Sequence, residues 1–535
     1  MKDRVKIYLP VILALALMAG LLLGYWLNPG QMTGSDLLPF GRGRYDKLND
    51  IVNYVQNEYV DSVSRLEITE EAIDGILGHL DPHSRYFKPE NFNEINDPLI
   101  GQFEGIGIEF RMVEDTITVI QTIPGGPSEK AGILPGDRIV LVNDSLMAGE
   151  GITSRDVMKM LKGKRGTAVK ISVSRRGMDE LIDFTLIRDV IPTHSIDAWF
   201  MVTGSTGYIK LSKFSATTWD EFRDASDELL DMGMKNLILD LRGNSGGYMN
   251  EAIRIADEFL EKEKLILYTE GYNRPRNYFY ATSAGDNEET GLAVLIDEYS
   301  ASASEIIAGA IQDNDRGVII GRRSFGKGLV QEQLDFADGS ALRLTVARYH
   351  TPTGRSIQKP YDPEKGFDDY YSEPYNRYVN GEMENADSVM INDSLRYETP
   401  GGRIVYGGGG IMPDIYIPVE TDERFGYYNR ILKRSLPLRF SFNYTTENRN
   451  ELDQFESVSD FKNHFTVDER LFREFIAFAD RNGVEPDEAD IRFVRDKIEN
   501  LIKAYLARSL FGNHGFYAIY LKTDKPFQTA LEQFE

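Results

Sequence analysis

The chain of 535 residues contains no cysteine. Disulfide bonds, zinc–thiolate sites and a cysteine nucleophile are therefore excluded. Histidine is scarce as well: the six histidines form no cluster with metal-ligand spacing, and no His-Glu-x-x-His motif is present. The sequence therefore gives no sign of a metal centre, and any serine-based chemistry has few histidines to draw on.

Positive charge is in short supply, because 60 lysines and arginines face 84 aspartates and glutamates, for a net charge of −24. Nucleic acid is therefore excluded as a main partner, since phosphate binding needs a cationic surface. The hydrophobic fraction of 41% is enough for packed cores. At roughly 150 residues per domain, the length predicts three or four domains.

Charge is also absent from Ile7 to Leu27, an apolar run that follows three basic residues, Lys2, Arg4 and Lys6. As a helix the run spans about 30 Å, the thickness of a bilayer core. It is longer than a usual signal-peptide core and no small-x-small cleavage site follows it. We predict that residues 1–27 are a cytoplasmic N-terminus and a single-pass anchor, followed by a linker over 28–44. Basic residues stay on the cytoplasmic side, so the rest should face the periplasm or its equivalent; a cleaved signal peptide is the alternative.

Hydrophobic periodicity divides the remainder into four parts. Residues 45–100 have helical spacing, 101–190 have short β runs, 191–419 alternate strands with helices, and 420–535 are mainly helical and charged. Alternation of strands and helices predicts an α/β core with a covered sheet. An acidic, aromatic insertion, residues 361–400, interrupts this core and is expected to be a loop. The predicted fold class is multidomain α/β and α+β.

A glycine-rich turn, Gly-Asn-Ser-Gly-Gly, joins a buried strand to a helix around Ser245. It fits the Gly-x-Ser-x-Gly elbow that exposes a nucleophilic serine. Such a serine needs a histidine base, and only three histidines follow it, none in a suggestive setting: His350, His464 and His514. The adjacent glycines Gly246 and Gly247 would also let a substrate carbonyl approach backbone N–H groups, as an oxyanion hole requires. We favour the oxyanion interpretation and keep an esterase-like hydrolase using Ser245 and a histidine as an alternative.

Small residues around Ser302 join a predicted strand to a helix. Ser302 and Glu305 form a Ser-x-x-Glu capping box, which is usually structural. Ser302 also stands at a helix N-terminus, where the helix dipole stabilises a developing anion. The amide of Ala303 can then point at an oxyanion.

Lys327 lies between two glycines after a predicted buried strand. The preceding residues nearly match a phosphate-binding loop, but Gly328 stands where that motif needs a serine or threonine. Desolvation would lower the pKa of this lysine, and a neutral amine can accept a proton from serine. Gln331, four residues on, could hydrogen-bond the amine and orient it.

These segments, in this order, resemble the C-terminal processing peptidases, also called tail-specific proteases. The resemblance runs from about Tyr45 to Pro418 and includes HLDPHSRYF, GIGIEF, AGILPGDRI, LILDLRGNSGG, SASASE, FGKGLVQ, RYHTPTGRSIQ and GGGGIMPD. It implies a membrane-anchored serine endopeptidase that cleaves proteins near their C-termini, with no metal or organic cofactor.

The resemblance implies that Ser302 is the nucleophile, Lys327 the general base and Gln331 its orienting partner. It also implies oxyanion donors from Ala303 and from either Gly246 or Gly247.

The β-rich segment, residues 101–190, resembles a PDZ domain. The resemblance implies that Gly105, Ile106, Gly107 and Ile108 bind the C-terminal carboxylate of a polypeptide substrate. Backbone N–H groups freed by glycines form such anion sites, and a neighbouring strand edge can pair with an extended peptide. A PDZ scaffold that binds tails without cleaving them is the alternative from another functional class, and a regulatory partner or self-association stays open.

Overall fold

The computed structural model describes residues 14–20, 46–113, 115–149, 151–362, 364, 366–390 and 392–535. Of the expected membrane anchor, only residues 14–20 are described, and they are helical; the rest of that segment lies outside the described residues. Among the helices that are described, none is long and apolar enough to cross a bilayer. The chain divides into two compact units, Met1–Ile76 and Leu77–Glu535.

Beyond the helical residues 14–20, the described part of the first unit contains two helices, α1 (Lys47–Glu58) and α2 (Arg65–Leu77, which ends at the boundary). The Asp46 carboxylate caps α1 by accepting a hydrogen bond from the Asn49 amide at 3.2 Å. The Arg65 guanidinium of α2 donates to the Asn49 side chain at 2.8 Å. These contacts give the short helices polar anchors at their ends, where backbone groups lack helical partners.

The second unit begins with strand β1 (Arg85–Phe87), helix α3 (Pro89–Ile100) and a β-rich domain. Strands β2 (Gln102–Gly105) and β9 (Asp189–Pro192) pair at the entrance and exit of this domain. Between them lie the six strands of one sheet: β3 (Ile108–Val113), β4 (Thr116–Thr122), β5 (Arg138–Val142), β6 (Ser145–Leu146), β7 (Ala168–Ser174) and β8 (Ile182–Ile187). Helices α4 (Pro127–Ala131) and α5 (Ser154–Leu161) complete the domain. Its core includes Ile117, Ile139 and Val157.

The main sheet of the α/β core has the order β10-β11-β12-β15-β16-β21. Its strands are β10 (Ile196–Met201), β11 (Thr206–Leu211), β12 (Asn236–Asp240), β15 (Gly291–Ile296), β16 (Val318–Gly321) and β21 (Ile415–Tyr416). All neighbours from β11 to β21 are parallel, and β10 is antiparallel to β11. A parallel sheet must be covered on both faces. Helices α6 (Thr218–Asp231), α7 (Met249–Asp257) and α8 (Ala303–Asp313) contribute to one of the two cores that cover it.

A second sheet lies beside the core and is organised around the ten-residue strand β18 (Ala341–His350). Strand β18 pairs antiparallel with its three neighbours: β1, β13 (Leu265–Gly271) and β17 (Leu329–Asp335). Strand β14 (Arg274–Tyr280) pairs with β13 at the edge. This sheet pairs the strand Arg85–Phe87 with β18, although the two are far apart in the chain.

The expectation that residues 361–400 form a loop is wrong. The segment contains helix α9 (Gly366–Val379), two 3-10 turns at Ala386–Ser388 and Asp393–Leu395, and strand β19 (Arg396–Glu398), which pairs with β20 (Ile404–Tyr406). Pro374 lies inside α9 and weakens the local helical propensity. Burial of Tyr370 and Arg377 against the core offsets this weakness.

The C-terminal region is helical: α10 (Gly426–Lys433), α11 (Leu436–Glu447), α12 (Arg449–Leu452), α13 (Val458–His464), α14 (Glu469–Arg481), α15 (Glu488–Tyr520) and α16 (Lys525–Glu532), with short 3-10 turns at Glu423–Phe425 and Leu521–Thr523. Helix α15 is broken at Gly512, whose φ of 66° lies in the left-handed region. Phe527 of α16 packs against Tyr208 and Ile238 on the second face of the main sheet. The C-terminal region therefore completes the cover of that sheet.

A buried ion pair ties the C-terminal region to the core. The Arg242 guanidinium lies 2.6 Å from the Asp240 carboxylate and 2.9 Å from that of Asp524. Asp524 also caps α16 by accepting from the Phe527 amide at 3.0 Å. Loss of one member would leave a buried charge with fewer partners.

We expect Asp524→Ala to lower the free energy of unfolding by about 3 kcal/mol, because it removes a partner of a buried arginine and a helix cap. Urea unfolding followed by tryptophan fluorescence measures the change, since Trp199 packs against His514 of α15. Asp227→Ala, at an exposed position of α6, is the matched control and should change stability by less than about 0.5 kcal/mol. Equal effects of the two substitutions would contradict the role given to the ion pair.

Candidate active site

Ser302 stands immediately before helix α8 with an unusual backbone. Its φ is 55°, a value that non-glycine residues seldom adopt. Such a conformation costs about 1–3 kcal/mol and persists only where the surroundings enforce it. The residue is the N-cap of α8, so its side chain lies at the positive end of the helix dipole.

The carboxylate of Glu305 enforces that turn and connects it to a second loop. It accepts hydrogen bonds from the Ser302 amide at 2.9 Å, the Gly326 amide at 2.7 Å and the Lys327 amide at 2.8 Å. The Ser324 hydroxyl is a fourth donor. Glu305 is 1% exposed; burial raises its pKa, and the four donors oppose that rise by stabilising the charged form. The capping interaction between Glu305 and Ser302 that the sequence predicts is therefore present. It is one of four hydrogen bonds by which Glu305 connects the serine turn to the loop that carries Lys327.

The side chain of Lys327 ends in a short hydrogen-bonded chain. Its amine donates to Gln331 Oε1 at 3.0 Å, and Gln331 Nε2 donates to the His83 carbonyl at 2.5 Å. Because the amide of Gln331 is held from its nitrogen, its oxygen is turned toward the amine. Gln331 therefore fixes the direction of the lysine side chain.

The pKa of Lys327 is lowered to about 8, chiefly by burial. The nearby Arg343 and Arg85 contribute to this lowering, whereas Asp81 and Glu305 act in the opposite direction. At neutral pH about a tenth of this amine is therefore unprotonated, far more than for an exposed lysine, and the lysine can accept a proton.

Tyr349 joins the main chains on the two sides of the site. Its buried hydroxyl lies 3.1 Å from the Ser302 carbonyl oxygen and 3.0 Å from that of Lys327. The serine turn and the lysine loop are thus held together by one side chain from β18 in addition to Glu305.

A cleft of about 590 Å³ brings most of the predicted residues together. Ser302, Lys327 and Gln331 line it, and so do the two adjacent glycines of the Gly-Asn-Ser-Gly-Gly turn, Gly246 and Gly247. Apolar side chains form part of its wall: Leu99, Met249, Ile306, Leu329 and Val330. The cleft therefore combines a polar centre with a surface suited to apolar side chains of a ligand.

The two adjacent glycines of the turn differ in their hydrogen bonds. The Gly246 amide donates to Asn244 Oδ1 at 2.9 Å. Within the described part of the chain, the amides of Gly247 and Ala303 have no acceptor. A Cβ atom on Gly246 would come within 2.8 Å of Ser302 Cβ, so only glycine lets the turn lie this close to the serine.

Ser245 is exposed and lines the same cleft, but no histidine within the described residues does so. His350 stacks on Tyr268 with ring centroids 4.7 Å apart. His464 hydrogen-bonds to Asp460 in the C-terminal region, and His514 packs against Phe200. The described structure therefore offers Ser245 no histidine base.

The predicted tail-binding residues Gly105, Ile106, Gly107 and Ile108 lie where β2 leads into β3, away from the lining of the cleft. Gly107 has a φ of 75°, which favours glycine. Strand β3 is at the edge of its sheet, and the described residues supply no acceptor for the amides of Ile106 and Gly107. An extended chain could therefore pair along β3 with its carboxylate at these amides.

Sequence reasoning missed the support of the site by residues 81–84. The Asp81 carboxylate accepts from the Ser84 hydroxyl at 2.7 Å and the Thr345 hydroxyl at 3.0 Å, which fixes the turn that presents the His83 carbonyl. The motif Asp-Pro-His-Ser was visible as a turn, but its contact with β17 and β18 depends on chain segments about 250 residues away. Tyr349 and Arg343 were missed for the same reason.

Comparisons with known proteins give three family matches. A model of "Peptidase family S41" matches residues 205–365, a "PDZ domain" model matches residues 105–186, and a "Family of unknown function (DUF8443)" matches residues 427–512. A carboxy-terminal-processing protease of Bartonella bacilliformis is 36% identical over 336 residues, covering 62% of this chain and 74% of that protein.

The carboxy-terminal processing protease CtpA of Bacillus subtilis is 33% identical over 360 residues, covering 67% of this chain and 76% of that protein. Among solved structures, a photosystem II D1 C-terminal processing protease is 25% identical with a TM-score of 0.37, covering 70% of this chain and 86% of that one.

We expect Arg343→Gln to raise the pKa of Lys327 above about 8, because Arg343 lines the cleft and its charge disfavours the protonated amine. The pH dependence of competitive amine labelling at Lys327, read by mass spectrometry, measures this pKa. Arg348→Gln removes the same charge from an exposed position of β18 and should leave the Lys327 titration in place. An unchanged or lower pKa in Arg343→Gln would contradict the electrostatic assignment.

Proposed function

Because the chain belongs to the carboxy-terminal processing serine proteases of peptidase family S41, we propose that Ser302 is its nucleophile and Lys327 its general base. The observation that carries this assignment is the buried Lys327 amine, with a pKa near 8, in the same cleft as a serine at a helix N-terminus. Gln331 orients the amine through the hydrogen bond to its side-chain oxygen.

In the proposed reaction the Ser302 hydroxyl attacks a peptide carbonyl of the substrate while Lys327 accepts its proton. The protonated lysine then gives this proton to the departing amine, and an acyl-enzyme remains on Ser302. Water then attacks the ester while the same lysine accepts its proton, and the lysine returns that proton to the departing Ser302 oxygen as the new C-terminal carboxyl group is released. Each step leaves the enzyme in the protonation state that the next step needs.

The tetrahedral intermediates of this reaction carry a negative oxygen, for which we propose the amides of Ala303 and Gly247 as donors. Their lack of acceptors among the described residues supports this choice. The Gly246 amide is engaged with Asn244, so Gly246 serves by close approach to Ser302 instead of as a donor.

We also propose that the PDZ domain delivers substrates by their C-terminal tails, with the carboxylate at Gly105–Ile108. The left-handed Gly107 and the edge position of β3 support this site.

Finally, we propose that the apolar run from Ile7 to Leu27 anchors the chain in the cytoplasmic membrane with the protease in the extracytoplasmic space. The three preceding basic residues support that orientation.

Cleavage of an unfolded model protein with an apolar C-terminal tail tests the catalytic assignment. Lys327→Ala should lower kcat by about 10²–10⁴-fold, because proton transfer from Ser302 loses its base, and Ser302→Ala should abolish covalent labelling and cleavage. Ser245→Ala should cleave at the rate of the unchanged protein. An inactive Ser245→Ala together with an active Lys327→Ala would contradict the assignment and favour the elbow serine.

The same substrate with a free or an amidated C-terminus tests tail binding. Gly107→Ala places a side chain at a left-handed backbone position, which costs about 1–2 kcal/mol. If this cost falls on tail binding, KM for the free-tail substrate should rise by about tenfold. Gly177→Ala places the same strain in a loop with open space around it and is the control. If Gly107→Ala and Gly177→Ala behave alike, and amidation has no effect, the tail site is not at Gly105–Ile108.

A further inference from the structure

The insertion, residues 361–400, contacts the loop that carries Lys327 through one buried arginine. Arg377 of α9 is 2% exposed. Its guanidinium donates to the Arg323 carbonyl at 2.8 Å, the Ser324 carbonyl at 2.9 Å and the Phe325 carbonyl at 3.4 Å. A planar guanidinium can hold consecutive carbonyls in this way because its donors form a rigid fork.

Both the carbonyl groups and the amide groups of this loop are therefore hydrogen-bonded by buried side chains. Arg377 binds the carbonyls of residues 323–325, while Glu305 binds the amides of Gly326 and Lys327. A third contact comes from the Lys359 amide, which donates to the Gly326 carbonyl at 2.9 Å. Each contact fixes peptide groups at Lys327 or within the four residues before it. The position of the Lys327 Cα atom therefore depends on all three contacts.

The charged groups around Arg377 are themselves paired. Glu373 lies 2.6 Å from the Arg377 guanidinium and 3.4 Å from the Lys359 amine. Burial pushes the pKa of Glu373 upward, but these cations bring it below its ordinary value. The Lys359 amine also lies 3.6 Å from the ring centroid of Phe325 and 4.1 Å from that of Tyr370. The buried charges therefore have partners, and the helix is bound firmly to the loop.

Helix α9 also reaches the opposite end of the hydrogen-bonded chain. The Tyr370 hydroxyl lies 3.0 Å from His83 Nε2, and the Tyr371 hydroxyl donates to the Pro82 carbonyl at 3.1 Å. The carbonyl of His83 is the group that holds Gln331. One helix therefore contacts both the loop that supplies Lys327 and the turn that holds its orienting glutamine.

We propose that helix α9 positions the catalytic base, with Arg377 and Tyr370 as its positioning residues. This inference rests on the proposed role of Lys327. Arg377 sets the backbone of the lysine loop, and Tyr370 sets the turn that fixes Gln331. Together with Lys359 and Phe325, the helix also keeps water away from the loop, which preserves the burial that lowers the pKa of Lys327.

Tyr370→Phe tests the proposal with the removal of one hydroxyl. We expect kcat to fall by about tenfold with little change in KM, because a small displacement of the base slows proton transfer. The charged and titratable groups that face Lys327 are Arg343, Arg85, Asp81, Glu305 and the neutral His83; the substitution removes no charge from this set, although His83 loses the Tyr370 hydroxyl. The acid-side limb of kcat/KM, which reports deprotonation of the base, should move toward higher pH, as expected for an amine that is less buried.

Tyr378→Phe is the matched control, because Tyr378 lies on the same helix and is 53% exposed; it should leave kcat, KM and the pH profile as they are. Arg377→Gln should lower kcat more than Tyr370→Phe, Arg377→Lys should restore part of the loss, and Arg396→Gln, at an exposed position of the insertion, should have no effect. If Arg377→Gln does not fold, Tyr370→Phe and the Arg377→Lys profile decide the question.

Unchanged kcat and pH profile in both Tyr370→Phe and Arg377→Lys would overturn the positioning role. The role would also be overturned if kcat fell only in proportion to a lower thermal unfolding midpoint, with no shift of the pH profile. Lys327→Ala is measured in the same series: if it is inactive while the insertion variants behave like the unchanged protein, this inference fails alone. If Lys327→Ala is active, the proposed catalytic pair fails as well.

Discussion

The carboxylate of Glu305 has donors from two separate segments of the chain, and the arrangement of the site depends on them. Burying an ionised carboxylate costs several kcal/mol unless hydrogen bonds replace the lost water. The Glu305 carboxylate has all of its hydrogen bonds only when the Ser302 turn and the lysine loop are both in place, because each contributes backbone amides. The proposed nucleophile and base are therefore coupled through the solvation of one charge.

That coupling explains how the site keeps two unfavourable features. Ser302 has a positive φ, and Lys327 is a buried amine whose pKa is lowered by burial. Neither would persist in an isolated loop, since a strained serine would relax and an exposed lysine would be protonated. Glu305, Tyr349 and Arg377 bind main-chain groups around both residues, so relaxation of either would break several hydrogen bonds at once.

The sequence indicated which residues share the cleft better than it indicated the residues that support them. Ser302, Lys327 and Gln331 lie in short motifs whose residue types carry the chemistry, and the cleft contains all three. The choice between Gly246 and Gly247 depended on one side chain, Asn244, whose rotamer no motif records. His83 and Arg377 act through long-range contacts that require the second sheet and the insertion helix to be assembled. The insertion was mistaken for a loop because Pro374 weakens the local helical signal, while the buried contacts of Tyr370 and Arg377 lie outside any sequence window.

The most direct test is the rate at which a fluorophosphonate probe phosphonylates Ser302 in Glu305→Gln. A neutral amide has one acceptor oxygen and two donors, so it cannot accept from both loops as the carboxylate does. We predict phosphonylation about 100-fold slower than in the unchanged protein, with secondary structure retained, while Glu228→Gln at an exposed position of α6 reacts at the original rate. Phosphonylation of Glu305→Gln at the original rate would contradict the dependence of the proposed catalytic pair on this buried carboxylate.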